Sequence, residues 1–174
     1  IRMLEEGKQV ALITDAGTPA VSDPGARAVA RVQDAGFPVV PVPGASAVIT
    51  ALSASGLADG HFHFHGFLPT KSAARRASLE SLRSVPGTLV FYEAPHRIAE
   101  TLDDLAAVFE PVRELVVARE LTKMFEQIVR MPITEGPAWL AADANRARGE
   151  FVLLVSAAPV AEGLSPACCW PSYR

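Results

Sequence analysis

Proton-transfer chemistry has few candidates in this chain: Glu93 and His96 in "FYEAPHR", and Glu120 in "ARELTK". A carboxylate or imidazole beside a hydroxyl can accept its proton and make it a nucleophile. Arg97 lies four residues past Glu93, and Arg119 and Lys123 flank Glu120, so cations for an anionic partner are at hand. The same spacing suits solvated ion pairs, such as Glu93 with Arg97, which are the commoner fate of such neighbours. Residue types leave both readings open.

A second kind of chemistry needs backbone rather than side chains. Val10-Ala11-Leu12-Ile13 runs straight into "TDAGTPAVSDPG", Thr14 to Gly25. This loop lacks the Gly-Lys-Ser/Thr of a triphosphate cradle and the Gly-x-Gly-x-x-Gly of a dinucleotide site. Gly17 and Pro19 shape a tight turn that backbone can bring close to a flat ligand. "PGAS", Pro43 to Ser46, is a second turn, with a helix expected from Ala45. Free N–H groups there suit a carboxylate, although a routine turn reads the same way. His61, His63 and His65 share one face of an alternating stretch. Three such ligands can hold zinc, but no fourth-ligand pattern accompanies them, and the reading is a solvated strand face with no metal. Lys71, Arg75, Arg76 and Arg83, against Glu80 alone, make one helix face basic, either a phosphate track or a wet surface.

The elements that must position these residues alternate. Strands are expected at Gln9–Thr14 and Pro38–Val42. Helices are expected at Pro24–Ala35, with Asp23 as N-cap, and at Ala45–Ser55. Strand, helix, strand, helix with short links predicts a parallel sheet over roughly Gln9 to Gly56. Past Leu57–Gly60 the pattern becomes mixed. A strand at "HFHFHGF", a helix at Ser72–Arg83 and a strand at Thr88–Tyr92 come first. A helix at His96–Phe109 and strands at Arg113–Ala118 and Glu126–Met131 follow, then a helix at Gly136–Ala147 and a final strand at Glu150–Ser156. The expected organisation is a first α/β domain over 1–58, a second over 59–160 and a tail over 161–174. Ile1 to Gly7 reads as the last turns of a helix, so further sequence is expected before Ile1.

Bulk properties narrow the class. With 174 residues, about half of them apolar and a net charge of −3, the chain suits one or two small globular domains rather than a general nucleic-acid coat. The two cysteines, Cys168 and Cys169, are adjacent and cannot frame a disulfide scaffold, so a reducing cytoplasm is expected. No apolar stretch approaches the roughly 18 residues of a membrane span.

"ALITDAGTPAVSDPG", "PVPGASAVITALSASGL", "FHGFLPTK", "LVFYEAPHR", "VARELTKMFE" and "RGEFVLLV" occur in order. Together, over roughly Leu4 to Val155, they resemble the ribosomal RNA small subunit methyltransferase I family of the tetrapyrrole methylase superfamily. The resemblance implies a tetrapyrrole methylase-like α/β fold, here a partial N-terminal parallel-sheet domain followed by a mixed α/β domain. It implies S-adenosylmethionine (SAM) as cofactor and 2'-O-methylation of a cytidine ribose in 16S ribosomal RNA of the small subunit. On the same ground Gly17, Thr18, Pro19, Val21, Ser46, Ala47, Tyr92, Ala118, Gly149 and Glu150 are expected at the cofactor. Thr18 stands where the superfamily's Gly-Asp-Pro turn has an acid. Lys71, Arg75, Arg76, Arg97 and Lys123 are expected at RNA, with the base among Glu93, His96 and Glu120. The family's opening strand and "EDTR"-like segment have no counterpart in these residues. A two-fold homodimer that binds SAM weakly or not at all is therefore expected. Related enzymes that methylate a tetrapyrrole or a diphthine-type histidine, or a non-catalytic self-associating fragment, are the alternatives.

Overall fold

The computed structural model describes residues 1–15, 17–57 and 60–159. Its centre is a five-stranded mixed sheet made of β1 (Phe62–Phe67), β2 (Thr88–Glu93), β3 (Glu114–Arg119), β4 (Gln127–Pro132) and β5 (Phe151–Val155), in the order β1-β2-β5-β3-β4. β1 and β2 are parallel, whereas β5 runs antiparallel to both β2 and β3. β1, β2 and β3 therefore deliver their carboxyl ends to one edge of the sheet.

The sequences of the strands follow from their places. "TLVFYE" and "FVLLV" are near-continuous apolar runs because β2 and β5 are covered on both faces. β4 lies at the sheet's rim and alternates half-buried with exposed positions. On one face pack helices α4 (Ser72–Leu82), α5 (Ile98–Val108) and α6 (Gly136–Ala141). In α5, Ile98, Leu102, Leu105 and Val108 recur at the 3.6-residue period and are buried against Leu89, Phe91, Leu115 and Leu153. On the other face helix α3 (Ala47–Ser55) sets Val48, Ala51 and Leu52 against Val90, Val116, Ala118, Val152 and Leu154. Short 3₁₀ turns at Ile133–Glu135 and Ala144–Ala147 bracket α6.

Two further helices, α1 (Arg2–Glu5) and α2 (Ala26–Asp34), precede α3. The parallel pairing expected over Gln9–Thr14 and Pro38–Val42 is not formed: both segments lie outside any strand. Neither segment pairs with a strand among the described residues. A strand exists only through its partner's N–H and C=O groups. Val10, Ile13, Val40 and Val42 here are 56, 85, 79 and 88% exposed. α2 starts after Gly25 rather than at Pro24, because Asp23 accepts a hydrogen bond from Thr14 Oγ1 at 3.0 Å instead of capping the helix. α3 starts at Ala47, two residues later than expected. The predicted helix at Gly136–Ala147 breaks after Ala141, where Asp143 accepts from the Asn145 N–H and begins a 3₁₀ turn. From Phe62 onward the other elements match in type, with ends shifted by one or two residues. The 161–174 tail, including both cysteines, lies outside the described residues. Among those, no helix is long and apolar enough to cross a membrane.

Candidate functional site

The carboxyl ends of β1, β2 and β3 gather most of the expected side chains. Phe67 stands opposite Tyr92, Glu93 opposite Phe151, and Phe151 opposite Arg119. Parallel strand ends are where open sheets bind ligands.

One part of this edge is built from the first half of the chain. The Thr18 hydroxyl donates to the Ala45 carbonyl at 3.4 Å, which ties the Thr14–Gly25 loop to the turn before α3. An added Cβ on Gly66, in the bulge of β1, would lie 3.1 Å from Ser22 Oγ, so the loop also seats on the sheet. Ala20 and Ser22 sit in the left-handed region at φ 68° and 58°. For such residues this costs about 1–3 kcal/mol each and is typical of ligand clamps. Burial raises the Tyr92 hydroxyl, opposed by a hydrogen bond from the Val48 backbone and reinforced by the Asp23 charge. Tyr92 thus stays protonated, a neutral donor beside the start of α3.

The fit to SAM can be judged from this edge. An added Cβ at Gly17 or Gly44 would meet nothing within 4 Å, so the backbone of both turns faces open space. Ser46, at the N-cap of α3, makes no side-chain cap hydrogen bond, so apart from the Val48 N–H given to Tyr92 the first helical N–H groups are left for a carboxylate. The Phe64 and Tyr92 rings meet edge-on at 5.0 Å, and Phe67 and Tyr92 at 5.6 Å, an aromatic wall for a nucleoside. The donors, the aromatic wall and the open turns suit a charged amino-acid end and a flat base.

The second part is a knot at the ends of β3 and β5. Glu150 N–H donates to Glu120 Oε1 at 2.9 Å, Glu120 N–H donates to the Glu150 carbonyl, and Lys123 Nζ bridges Glu120 and Glu150 at 3.0 and 2.9 Å. The Glu150 backbone and then Lys123 hold the Glu120 carboxyl below its usual range. Glu120 is 17% exposed at its side chain and committed to the knot.

Other expected residues are placed differently. Glu93 is buried: its side chain accepts from the Ala94 N–H and, at 2.6 Å, from Thr101 Oγ1, and pairs with Arg97 at 3.2 Å. The Glu93–Arg97 pair is therefore internal rather than on the surface, and Glu93 holds the turn into α5. Arg97 also donates to the Leu68 and Pro69 carbonyls. Arg75 is 1% exposed, locked to Asp104 at 2.6 Å and to Glu100 at 3.1 Å, and does not face a phosphate. Arg76 shares Asp104 but keeps half its side chain in solvent. Ala118 is fully buried beneath α3 and belongs to the core. His96 and Lys71 are exposed, Val21 is 47% exposed, and Pro19 is half-buried. His63 and His65 rings lie 6.4 Å apart, and among the described residues no three potential ligands come together.

Sequence reasoning missed a groove of about 610 Å³ beside the knot, between the Glu120–Glu126 loop and the Asp143–Gly149 turn. Arg119, Arg146 and Arg148 border it, with Met124 and Phe125 at 90 and 66% exposure. The signal available was an apolar pair set between Lys123 and Glu126 in a turn.

Residues 1–136 match the family of Tetrapyrrole (Corrin/Porphyrin) Methylases. A ribosomal RNA small subunit methyltransferase I of Pseudomonas aeruginosa is 51% identical over 163 residues, 94% of this chain and 58% of that protein. A protein of the same name in Vibrio cholerae is 54% identical over 152 residues, 87% of this chain and 53% of that one. The chain thus spans about half the length of these curated relatives. Among solved structures, a cobalt precorrin-4 methyltransferase superposes with a TM-score of 0.62 at 17% identity, covering 89% of this chain and 66% of that one. A Thermus thermophilus uroporphyrin-III C-methyltransferase complexed with S-adenyl homocysteine superposes at 0.54 with 21% identity, covering 80 and 62%. With residues 1–136 matched, well over half of its length, the chain belongs to the tetrapyrrole methylase family.

Proposed function

We propose that these residues carry the cofactor edge of a SAM-dependent methyltransferase that acts on the 2'-hydroxyl of a cytidine ribose in 16S ribosomal RNA of the small subunit. The observation that carries the reading is the high identity to ribosomal RNA methyltransferases across nearly the whole chain. The tetrapyrrole-type neighbours, at about 20% identity, speak for the fold alone.

SAM supplies an activated methyl group. The residues of this chain hold, orient and deprotonate. Ser46 and Ala47 offer N–H groups at the start of α3, Tyr92 offers a neutral hydroxyl, and Gly17, Thr18 and Pro19 close the turn opposite. Gly149 and Glu150, fixed by the Glu120–Lys123 knot, wall the other side. His96 is our choice of base, because it is exposed and partnerless among the described residues, whereas Glu93 and Glu120 are committed to structure. Fixing a hydroxyl in line with its target removes most of the entropy cost of the reaction, and a base adds about 10²–10⁴-fold. Lys71 and Arg76 remain candidate phosphate contacts.

We assign residues 1–58 to the SAM-binding domain, 59–160 to the second domain, and the protein to the cytoplasm as a homodimer. The exposed Val40 and Val42 segment is an apolar surface of the kind that drives association. Sedimentation that shows only monomers would refute the dimer.

The test of function is transfer of radiolabelled methyl from SAM to small ribosomal subunits that lack the modification, with the position mapped on the RNA. A 2'-O-methyl cytidine in 16S RNA is expected. Label on a tetrapyrrole or a protein histidine instead would refute the reading.

A further inference from the structure

We propose that the groove between the Glu120–Glu126 loop and the Asp143–Gly149 turn binds single-stranded RNA, with an unpaired base stacked on Phe125 and the adjoining phosphates held by Arg119, Arg146 and Arg148. The inference rests on the ribosomal RNA reading above and names the surface that would receive that substrate.

The first ground is an exposed aromatic that the fold holds in place. Phe125 and Met124 project at the tip of a loop fixed by backbone hydrogen bonds, from Lys123 N–H to Glu120 and from Glu126 N–H to Lys123. Glu120 and Thr122 adopt left-handed backbone at φ 50° and 65° to turn the chain there. A large apolar pair presented on a rigid, strained loop marks a contact surface.

The second ground is the division of charge. The groove's carboxylates are committed: Glu120 holds Lys123 and the Glu150 N–H, Glu126 accepts from the Thr122 N–H at 2.6 Å, and Asp143 accepts from the Asn145 N–H at 2.8 Å. The guanidinium groups are not paired with acids. Arg119 donates to the Arg148 and Phe125 carbonyls, at 2.6 and 3.4 Å. Arg146 donates to the Trp139 carbonyl at 2.7 Å and lies 4.9 Å over the indole ring. Arg148 is exposed, and its guanidinium is paired with no carboxylate among the described residues. Three cations around an exposed ring, Arg119 and Arg146 held by carbonyls and Arg148 free to swing, suit a phosphate backbone with one base turned outward. A duplex keeps its bases stacked and cannot use the ring.

The third ground is position. The groove shares Glu120 and Gly149 with the knot at the cofactor edge, so a strand lying in it is led to the carboxyl ends of β2 and β3.

The test measures binding of a fluorescently labelled single-stranded RNA decamer by anisotropy to the unmodified chain, Phe125→Ala, Phe125→Trp and Arg148→Gln. SAM binding by calorimetry and thermal unfolding are recorded for each. Both positions are solvent-exposed, so the fold is retained. Phe125→Ala should weaken RNA binding about tenfold, and Phe125→Trp should restore it. Arg148→Gln should weaken binding and lower the slope of log affinity against log salt by about one. SAM affinity should not change. Equal RNA affinity for all four proteins, equal binding of a duplex of the same sequence, or no RNA binding by the unmodified chain would overturn the inference. If SAM is bound in those cases the methyltransferase reading survives. Absence of SAM binding alongside groove-dependent RNA binding would sink that reading and leave this one standing.

Discussion

Replacing Asp104 by Ala should destabilise the protein more than any exposed substitution. Asp104 is 2% exposed and accepts from Arg75 Nε at 2.6 Å, Arg76 Nε at 2.5 Å and the Ser72 hydroxyl at 3.2 Å. Burial alone would raise its carboxyl, and the hydrogen bonds from Arg76 and Arg75 outweigh that and hold it below the usual range. Removing one partner of a buried ion pair costs about 3–5 kcal/mol, because the other charge is left without compensation. Arg75 keeps the Thr70 carbonyl at 3.1 Å and Glu100, whose side chain is 69% exposed, so part of the loss is offset. The lower end of the range, about 3 kcal/mol, is therefore expected. At about 2–4 °C per kcal/mol for a chain of this size, the thermal midpoint should fall by about 6–12 °C. Urea denaturation followed by circular dichroism measures the free energy directly. The double replacement Arg75→Met with Asp104→Leu should recover most of the loss, since a buried pair exchanged for apolar groups is close to neutral. A loss below about 1 kcal/mol for Asp104→Ala, the scale of an exposed pair, would refute the reasoning.

Three further outcomes follow from the same geometry. In Gly149→Ala, at φ 94°, the new Cβ would lie 2.6 Å from Glu120 Oε1; the knot should open at a cost of about 1–3 kcal/mol, and unchanged thermal stability would show that the knot is slack. The Arg83 hydrogen bond, then its own backbone N–H, and the nearby Arg113 hold the Glu110 carboxyl at about 2. Its folded value is below the unfolded one of about 4.3, so its stabilisation is complete above that pH and is lost as pH falls toward 2. Glu110→Gln should flatten that limb of an acid-unfolding curve, and an unaltered curve would contradict the assignment. Ala47→Leu should weaken SAM binding in calorimetry without moving the thermal midpoint by more than a few degrees, because Ala47 is only half-buried at the start of α3; an unchanged dissociation constant would remove Ala47 from the site.

The second half of the chain was legible because its signals are local. "LVFYE" and "FVLLV" carry their own burial, and α5 repeats its apolar residues at the helical period, although the helix expected at Gly136–Ala147 stops at Ala141. The first half was not, because an apolar run such as Val10–Ile13 records that a strand should be buried but not which strand covers it. Side-chain roles failed for the same reason. Arg75 looks like a surface cation until α5 brings Asp104 against it from 29 residues away. Asp23 looks like a cap until the loop folds back on Thr14. The spacing of Glu93 and Arg97 leaves a substrate site and a surface pair both open; the pair forms inside the protein, where Thr101 and the Leu68 carbonyl hold it. The Phe125 groove depends on two turns meeting, which no local run of residues records.

Titration of isotope-labelled protein with S-adenosylhomocysteine, followed by amide chemical shifts, tests the central claim most directly and detects weak as well as tight binding. We expect shifts to concentrate at Gly17–Thr18, Ser46–Val48, Tyr92 and Gly149–Glu150, with α4 and α5 unaffected. Shifts that cluster on the α4–α5 face, or none at saturating ligand, would contradict the placement of the cofactor at the carboxyl ends of the strands.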